Sequence, residues 1–205
     1  ALNIIHWSHD KYAYEAIEMA LHDTDIVRTM GCGIAGLSIV ADSLSAIKHA
    51  TVTPVRDDTG LVVDYLVEGN FPRYGNDDDR ADDIAATIVH MVMAKIKAIP
   101  MYRNAIPTQS VLTITSNVVY GKNTGNFPSG HRAGNPFAPG ANPENGADTH
   151  GMLASMLSVG KLDYTDALDG ISLTNTIVPT SLGRDKNEQI GNLVGIMDAG
   201  MVAQG

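Results

Sequence analysis

The 205-residue sequence predicts an α/β protein, cut from a larger sheet or barrel. Three observations point there. Helical apolar stripes alternate along the chain with short runs rich in Val, Ile and Thr. A glycine-rich turn stands between a short strand-like run and a helix. No fixed-period repeat is present, which sets solenoids and propellers aside.

In chain order, Asp10 to Leu21 places Tyr14, Ile17 and Leu21 on one helical stripe, with Asp10 as a possible cap. Asp25 to Met30 reads as a short strand, and Leu37 to Ala50 as a buried helix with Ile39, Leu44 and Ile47 among its apolar positions. Thr51 to Arg56 and Leu61 to Val67 form a hairpin across Asp57-Asp58-Thr59-Gly60. The acidic run Asn76 to Asp83 leads into an amphipathic helix, Asp82 to Lys97. Carboxylates at its start and Lys95 and Lys97 near its end suit the helix dipole. That run lacks the alternating ligands, the central Gly and the terminal Glu of a calcium loop.

Ser110 to Tyr120 (SVLTITSNVVY) is the strongest strand-like segment. Gly151 to Val159 is a short helix, Ile171 to Val178 a strand, and Asn187 to Met201 a helix. Between them, Gly121 to Gly151 holds seven of the 20 glycines and four of the nine prolines, with no helical or strand period. A run of that length inside a compact chain is either disordered or functional. His131 and Arg132 at its centre, and patterned segments on both sides, favour an ordered, meandering loop.

Composition narrows the function. Lys plus Arg is 14 against 23 Asp plus Glu, a formal net charge of −9, which argues against nucleic acid or an anionic membrane as partner. No apolar run is long enough to span a bilayer, and the start lacks the regions of a signal peptide. A single cysteine, Cys32, forms no internal disulfide and fits a reducing compartment, so cytoplasm is the expectation. The apolar beginning (Leu2, Ile4, Ile5, Trp7) and the ending MDAGMVAQG hint at a piece of something longer.

Several groups of residues are candidates for chemistry. Gly31 to Gly36 (GCGIAG) matches G-x-G-x-x-G, with Asp57 placed 21 residues after Gly36, where a ribose-binding acid would sit. The alternative is a set of glycines that let a helix pack closely at a strand-to-helix turn; the hairpin that follows, which interrupts a βαβ continuation, favours it. Cys32 has no Lys, Arg or His within two residues to activate it, so a packed, inert thiol is expected. His6, His9 and Asp10 have a metal-clamp spacing but no identifiable third and fourth ligands, and no metal is expected. His49 and His90 read as capping or packing residues. His131-Arg132 can hold an anion bidentately or tie loop carbonyls together, and the second reading is favoured.

Five runs carry a resemblance over the whole chain: HDKYAYEAIEMALHD (9–23), GCGIAGLSIVADSLSAIK (31–48), NAIPTQSVLTITSNVVYGKNTGNFPSGHRAGNPFAPGANP (104–143), DGISLTNTIVPTSLG (169–183) and NLVGIMDAG (192–200). They resemble pyruvate formate-lyase, a glycyl radical enzyme. The P-x-G-x-R-A-G-x-P pattern of the loop is shared more widely in that family, with His131 standing where Arg is common.

The resemblance implies an incomplete part of a ten-stranded α/β barrel, residues 1–205 being an internal segment of one large domain. It implies a cytoplasmic, anaerobic homodimer that converts pyruvate and coenzyme A to acetyl-coenzyme A and formate. The cofactor is a backbone glycyl radical, installed by a radical-SAM activating enzyme, and no metal takes part. No catalytic residue is expected in this chain: the family's cysteine pair is placed upstream and its radical glycine downstream. One contact carries over, His22 in MALHD against the adenine of coenzyme A; its local alternative is an imidazole at a helix C-terminus. Sister enzymes acting on 2-oxobutanoate or a diol share the loop pattern, and a dinucleotide-binding domain using Gly31 to Gly36 is the alternative from a different class.

Overall fold

The structure, a computed structural model, describes residues 1–12 and 27–202. Its elements are α1 (Leu2–Lys11), β1 (Thr29–Gly33), α2 (Leu37–His49), β2 (Thr51–Arg56), β3 (Val62–Glu68), α3 (Asp79–Lys97), β4 (Ile106–Val111), α4 (Ser116–Lys122), α5 (Met152–Gly160), β5 (Gly170–Ile171) and α6 (Lys186–Met197). β1, β4 and β5 form a parallel sheet in the order β1-β4-β5, while β2 and β3 form a separate antiparallel hairpin.

The core lies where α2 and α3 pack together over the sheet. Leu37 and Ala41 of α2 meet Ala81, Ala85, Ile88 and Val89 of α3, with Val111 of β4, Tyr74 and Val159 closing the cluster. α3 begins earlier than the sequence predicts, at Asp79, because the Asp78 carboxylate accepts the Arg80 N–H at 3.1 Å. Its buried stripe is accordingly alanine-rich, and Ile84 and Val92 sit at the edge of the core.

α2 has the expected span but a different interior. Ile39 is buried, whereas Leu44 and Ile47 are exposed. Three polar residues of α2 face inward and bond to chain outside the helix. Ser45 Oγ donates to the Pro72 carbonyl at 2.6 Å, Asp42 accepts the Tyr74 N–H at 2.7 Å, and the Ser129 N–H donates to Ser43 Oγ at 3.3 Å. The helix thereby ties down residues 72–74 and one turn of the long loop, and satisfied polar groups can be buried.

Four expectations are corrected. Asp10 lies in the last turn of α1 and not at a helix start, and its carboxylate accepts from Tyr102 Oη and Arg103 Nη2, each at 2.6 Å. The stripe from Tyr14 to Leu21 lies outside the described residues. The strand expected over Ser110 to Tyr120 stops at Val111, and Ser116–Lys122 is helical. Its neighbours β1 and β5 end at Gly33 and Ile171, so β-branched residues beyond them have no ladder to join. β5 is likewise two residues long. Past it, Asn142 bonds Thr174 in both directions, its Nδ2 donating to the carbonyl at 2.7 Å and its Oδ1 accepting the N–H at 2.9 Å. A loop side chain thus takes the place of a partner strand. The remaining strand, β1, is shifted three to four residues from its expected place, onto Thr29–Gly33.

Candidate functional site: the strand ends and the loop beneath them

Gly121 to Gly151 contains no helix or strand beyond the last two residues of α4, yet it is pinned throughout. The Gly140 N–H donates to the Thr113 carbonyl at 2.7 Å and the Ala141 N–H to the Ser172 carbonyl at 2.9 Å. Asn117 Nδ2 donates to the Phe137 carbonyl at 2.6 Å, and the Phe137 N–H returns to the Asn117 carbonyl at 3.2 Å. The ordered-loop reading therefore holds. Asn76 anchors the far side, with Nδ2 on the Arg73 and Ala147 carbonyls and Oδ1 accepting from Thr149 and His150.

At the C-terminal ends of β1 and β4 the chain opens a groove of about 920 Å³, lined by Gly33, Leu112, Thr113, Ile114, Tyr120 and Phe137 among others. The C-terminal edge of a parallel sheet is where α/β proteins commonly place ligands, since strand ends and loops converge there. The groove is uncharged: hydroxyls of Ser110, Thr113, Thr115 and Ser116 alternate with apolar side chains. Behind Phe137 lies a second cleft of about 930 Å³, walled by the loop and residues 174–176. Phe137 belongs to both walls.

His131 and Arg132 part company. His131 is only 3% exposed; its Nδ1 lies 2.7 Å from Glu144 Oε1, and its ring meets Phe127 and Phe137 edge-on. Arg132 is exposed and its Nη1 reaches both carboxylate oxygens of Asp64 on β3 at 2.9 Å. It pins the loop to the hairpin through an acid, not through loop carbonyls as the sequence favoured.

The glycine motif is a packing device. Gly31 and Gly33 are inside β1, and Gly36 caps α2 at φ +82°. A Cβ on Gly36 would lie 3.1 Å from the Phe137 ring, so the helix N-terminus is covered by an apolar side chain and not left open to a phosphate. Asp57 is occupied by its own turn, accepting Thr59 Oγ1 at 2.6 Å and the N–H groups of Thr59 and Leu61. Cys32 sits beside Asp169; burial first, and that negative charge second, push its thiol above the ordinary value.

No group of three His, Cys, Asp or Glu among the described residues is placed to hold a metal. Asp10, the neighbour of His6 and His9, is engaged by Tyr102 and Arg103. His49 ends α2, and His90 Nδ1 lies 2.6 Å from Asp166 Oδ2. His22 lies outside the described residues. No helix among the described residues is long and apolar enough to cross a membrane. Asn117, Glu144 and Asn76, which build the loop, carry no motif; only their inward positions mark them.

Known proteins share this arrangement. The family model "Pyruvate formate lyase-like" matches residues 1–121, and the model "Glycine radical" matches residues 137–205. The PFL-like enzyme TdcE of Escherichia coli is 62% identical over 198 residues, 97% of this chain and 26% of that protein. Formate acetyltransferase 1 of the same organism is 61% identical over 97% of this chain and 26% of its own length. Formate acetyltransferase of Haemophilus influenzae is 59% identical over 97% of this chain and 27% of its own. The chain thus spans about a quarter of these relatives.

Among solved structures, a glycyl radical enzyme from Archaeoglobus fulgidus superposes with TM-score 0.66 at 25% identity, covering 84% of this chain and 24% of that one. Hydroxyproline dehydratase from Clostridioides difficile, with TM-score 0.69 and 23% identity over 84% of this chain and 23% of its own, shares the fold. The three parallel strands described here are part of the α/β barrel of glycyl radical enzymes, as the sequence predicts. A sheet whose strand ends open onto a loop pinned at Gly140, Asn117 and Asn76, in a chain whose first 121 residues match that model, belongs to the pyruvate formate lyase-like family.

Proposed function

We propose that the chain is an internal segment of a formate C-acetyltransferase, which converts pyruvate and coenzyme A to acetyl-coenzyme A and formate. What supports this is the 59–61% identity to two formate acetyltransferases over 97% of the chain. In this reading the protein is a cytoplasmic homodimer served by a radical-SAM activating enzyme.

The glycyl radical supplies hydrogen-atom abstraction, and the proposal places both it and the thiol pair outside residues 1–205. No R-V-S-G-Y run occurs here, and Cys32 has no cysteine neighbour. The part assigned to this chain is the wall of the reaction chamber. Leu112 and Ile114 at the strand ends exclude water, and the nearby threonine and serine hydroxyls orient a small polar substrate without adding charge. His22 is proposed to stack on the adenine of coenzyme A.

The test is anaerobic activation of the full-length protein, followed by formate release from pyruvate and coenzyme A, with 2-oxobutanoate as the competing substrate. The expected result is a glycyl radical signal and pyruvate-dependent formate, both missing when residues 1–205 are assayed alone. Formate from the 205-residue chain by itself, or none from the activated full-length protein, overturns the reading. His22→Ala is expected to raise the KM for coenzyme A about 5- to 150-fold, the range of a lost stacking partner. Exchange of formate with pyruvate should persist.

A further inference from the structure

The sequence holds a single Asn-Gly pair, Asn145-Gly146, in the long loop. The Ala147 N–H donates to the Glu144 carbonyl at 2.8 Å and closes a tight turn over that pair. Both residues are exposed, and Gly146, at φ +81°, has nothing within 4 Å of where a Cβ would stand. Among the described residues, neither the Asn145 carboxamide nor the Gly146 N–H makes a hydrogen bond.

Neighbouring candidates differ on these counts. Asn117, Asn123, Asn126 and Asn142 each commit Nδ2 to a carbonyl, at 2.6–2.9 Å. Asp169-Gly170, the single Asp-Gly pair, is tied at both ends. Its Gly170 N–H donates to the Ala167 carbonyl at 2.9 Å, and the Asp169 carboxylate accepts from Thr108 Oγ1 at 2.7 Å.

We infer that Asn145 is a site of self-modification, by deamidation through a cyclic imide. The Gly146 amide nitrogen bonds to the Asn145 side-chain carbonyl carbon, the bond to Nδ2 breaks, and ammonia leaves with the proton the amide gives up. Glycine leaves that nitrogen unshielded, because it has no side chain. Water then opens the five-membered imide at one carbonyl or the other, giving aspartate or isoaspartate at position 145. Water is the only co-reactant. Either product adds a negative charge between Glu144 and Asp148, which line the same cleft. Isoaspartate also lengthens the main chain by one carbon inside the turn. Ala147, 5% exposed, follows directly, and its carbonyl accepts Asn76 Nδ2 at 2.8 Å. Asn76 Oδ1 in turn takes the Thr149 and His150 N–H groups. The far anchor of the loop is therefore what loosens once position 145 has converted.

The experiment is incubation of the full-length protein in warm, mildly alkaline buffer. Peptide mass spectrometry, with fragmentation that separates aspartate from isoaspartate, follows the reaction, and a synthetic peptide of residues 140–150 sets the unstructured rate. The expected result is conversion of Asn145 within about tenfold of the peptide's rate, while Asn117, Asn123, Asn126 and Asn142 stay intact. Asn145→Gln, which would need a six-membered ring, should not convert. By hydrogen exchange, the Ala147 and Thr149 N–H groups of the converted protein should open at least about tenfold more readily than in Asn145→Gln. Asn145 still intact when the peptide has fully converted overturns the inference, as does equal conversion at the four bonded asparagines. Unchanged exchange in the converted protein overturns the link to the Asn76 anchor. None of these readouts needs an activated radical, so they stand apart from formate release.

Discussion

The buried carboxylate of Asp42 accepts the backbone N–H of Tyr74 at 2.7 Å, while its second oxygen has only Arg73, at 3.7 Å, for a counter-charge. Burial pushes its pKa from 3.8 up to about 7, the charges of Glu144 and Asp82 add to the rise, and the Tyr74 N–H and Arg73 oppose it. The native state thus holds a proton that the unfolded chain releases near pH 4. Stability from this group is fully present below that pH and is lost as pH rises through about 7.

Asp42→Asn keeps an acceptor for Tyr74 and removes the titration. It is expected to melt above the parent at pH 8, by up to about 4 kcal/mol in stability, and to lose that advantage at pH 4. Thermal melts across pH 4–8 check this. A difference independent of pH would place the proton elsewhere.

Lys161 draws three carboxylates together, with Nζ 2.7 Å from Asp77 and Asp79 and 2.9 Å from the fully buried Asp82. Among the described residues the Asp82 carboxylate otherwise accepts only from Ser158 Oγ, at 3.0 Å, and burial raises its pKa despite both partners. Lys161→Met leaves a buried acid without its cation. Because Lys161 is partly exposed, the expected loss is about 2–4 kcal/mol, below the range for a fully buried pair. Adding Asp82→Asn should recover most of it, and denaturant melts of the single and double variants measure the coupling.

The elements legible in the sequence were those whose signals are local. The hairpin across Asp57 to Gly60 and the helices near 37–50 and 82–97 follow from turn chemistry and apolar period, and all three are present. SVLTITSNVVY misleads because its β-branched content speaks for a strand wherever a ladder exists, and the ladder ends at Val111. Likewise the buried face of α2 includes Ser38, Asp42 and Ser45 beside Leu37, Ile39 and Ala41, and a hydrophobicity pattern places those polar residues outside. Asp42 and Ser45 bond irregular chain at residues 72–74, partners that no local period announces. The candidate site was half legible. The loop and its His131 stand out, but the roles of Asn117 and Glu144 depend on contacts across 20 and 13 residues.

Two glycines allow the loop its close approaches, one to α4 and one to the strand ends. A Cβ on Gly121 would lie 2.7 Å from the Asn135 carbonyl carbon and from Pro136 Cα, both backbone. On Gly140, at φ +54°, it would meet the Ser172 carbonyl at 2.6 Å and the Val111 carbonyl at 3.1 Å. Neither neighbour can swing aside, so Gly121→Ala and Gly140→Ala should each cost about 3 kcal/mol or more. Gly146, at φ +81° with open space around it, is the control. Its alanine variant carries only left-handed strain, about 1–2 kcal/mol. Urea melts of the three variants separate close approach from backbone strain, and equal losses would refute the packing argument.

The last prediction concerns the G-x-G-x-x-G run, which is expected to bind no nicotinamide or flavin dinucleotide. A pyrophosphate site needs open N–H groups at the start of the helix, a second parallel strand beside the first, and a free acid for the ribose. Here the Ile34 N–H is committed to the Ser110 carbonyl at 2.9 Å, and the Phe137 ring stands against Gly36. The strand that follows α2 enters the β2–β3 hairpin, so the neighbour of β1 is β4, some 70 residues downstream. Asp57 spends its carboxylate on Thr59 and Leu61, and the Thr59 hydroxyl, the largest of several bonds, lowers its pKa. Titration with either dinucleotide at millimolar concentration should give no saturable signal. Saturable binding that Gly36→Val removes would return the motif to its nucleotide reading and would require Phe137 to leave the helix terminus.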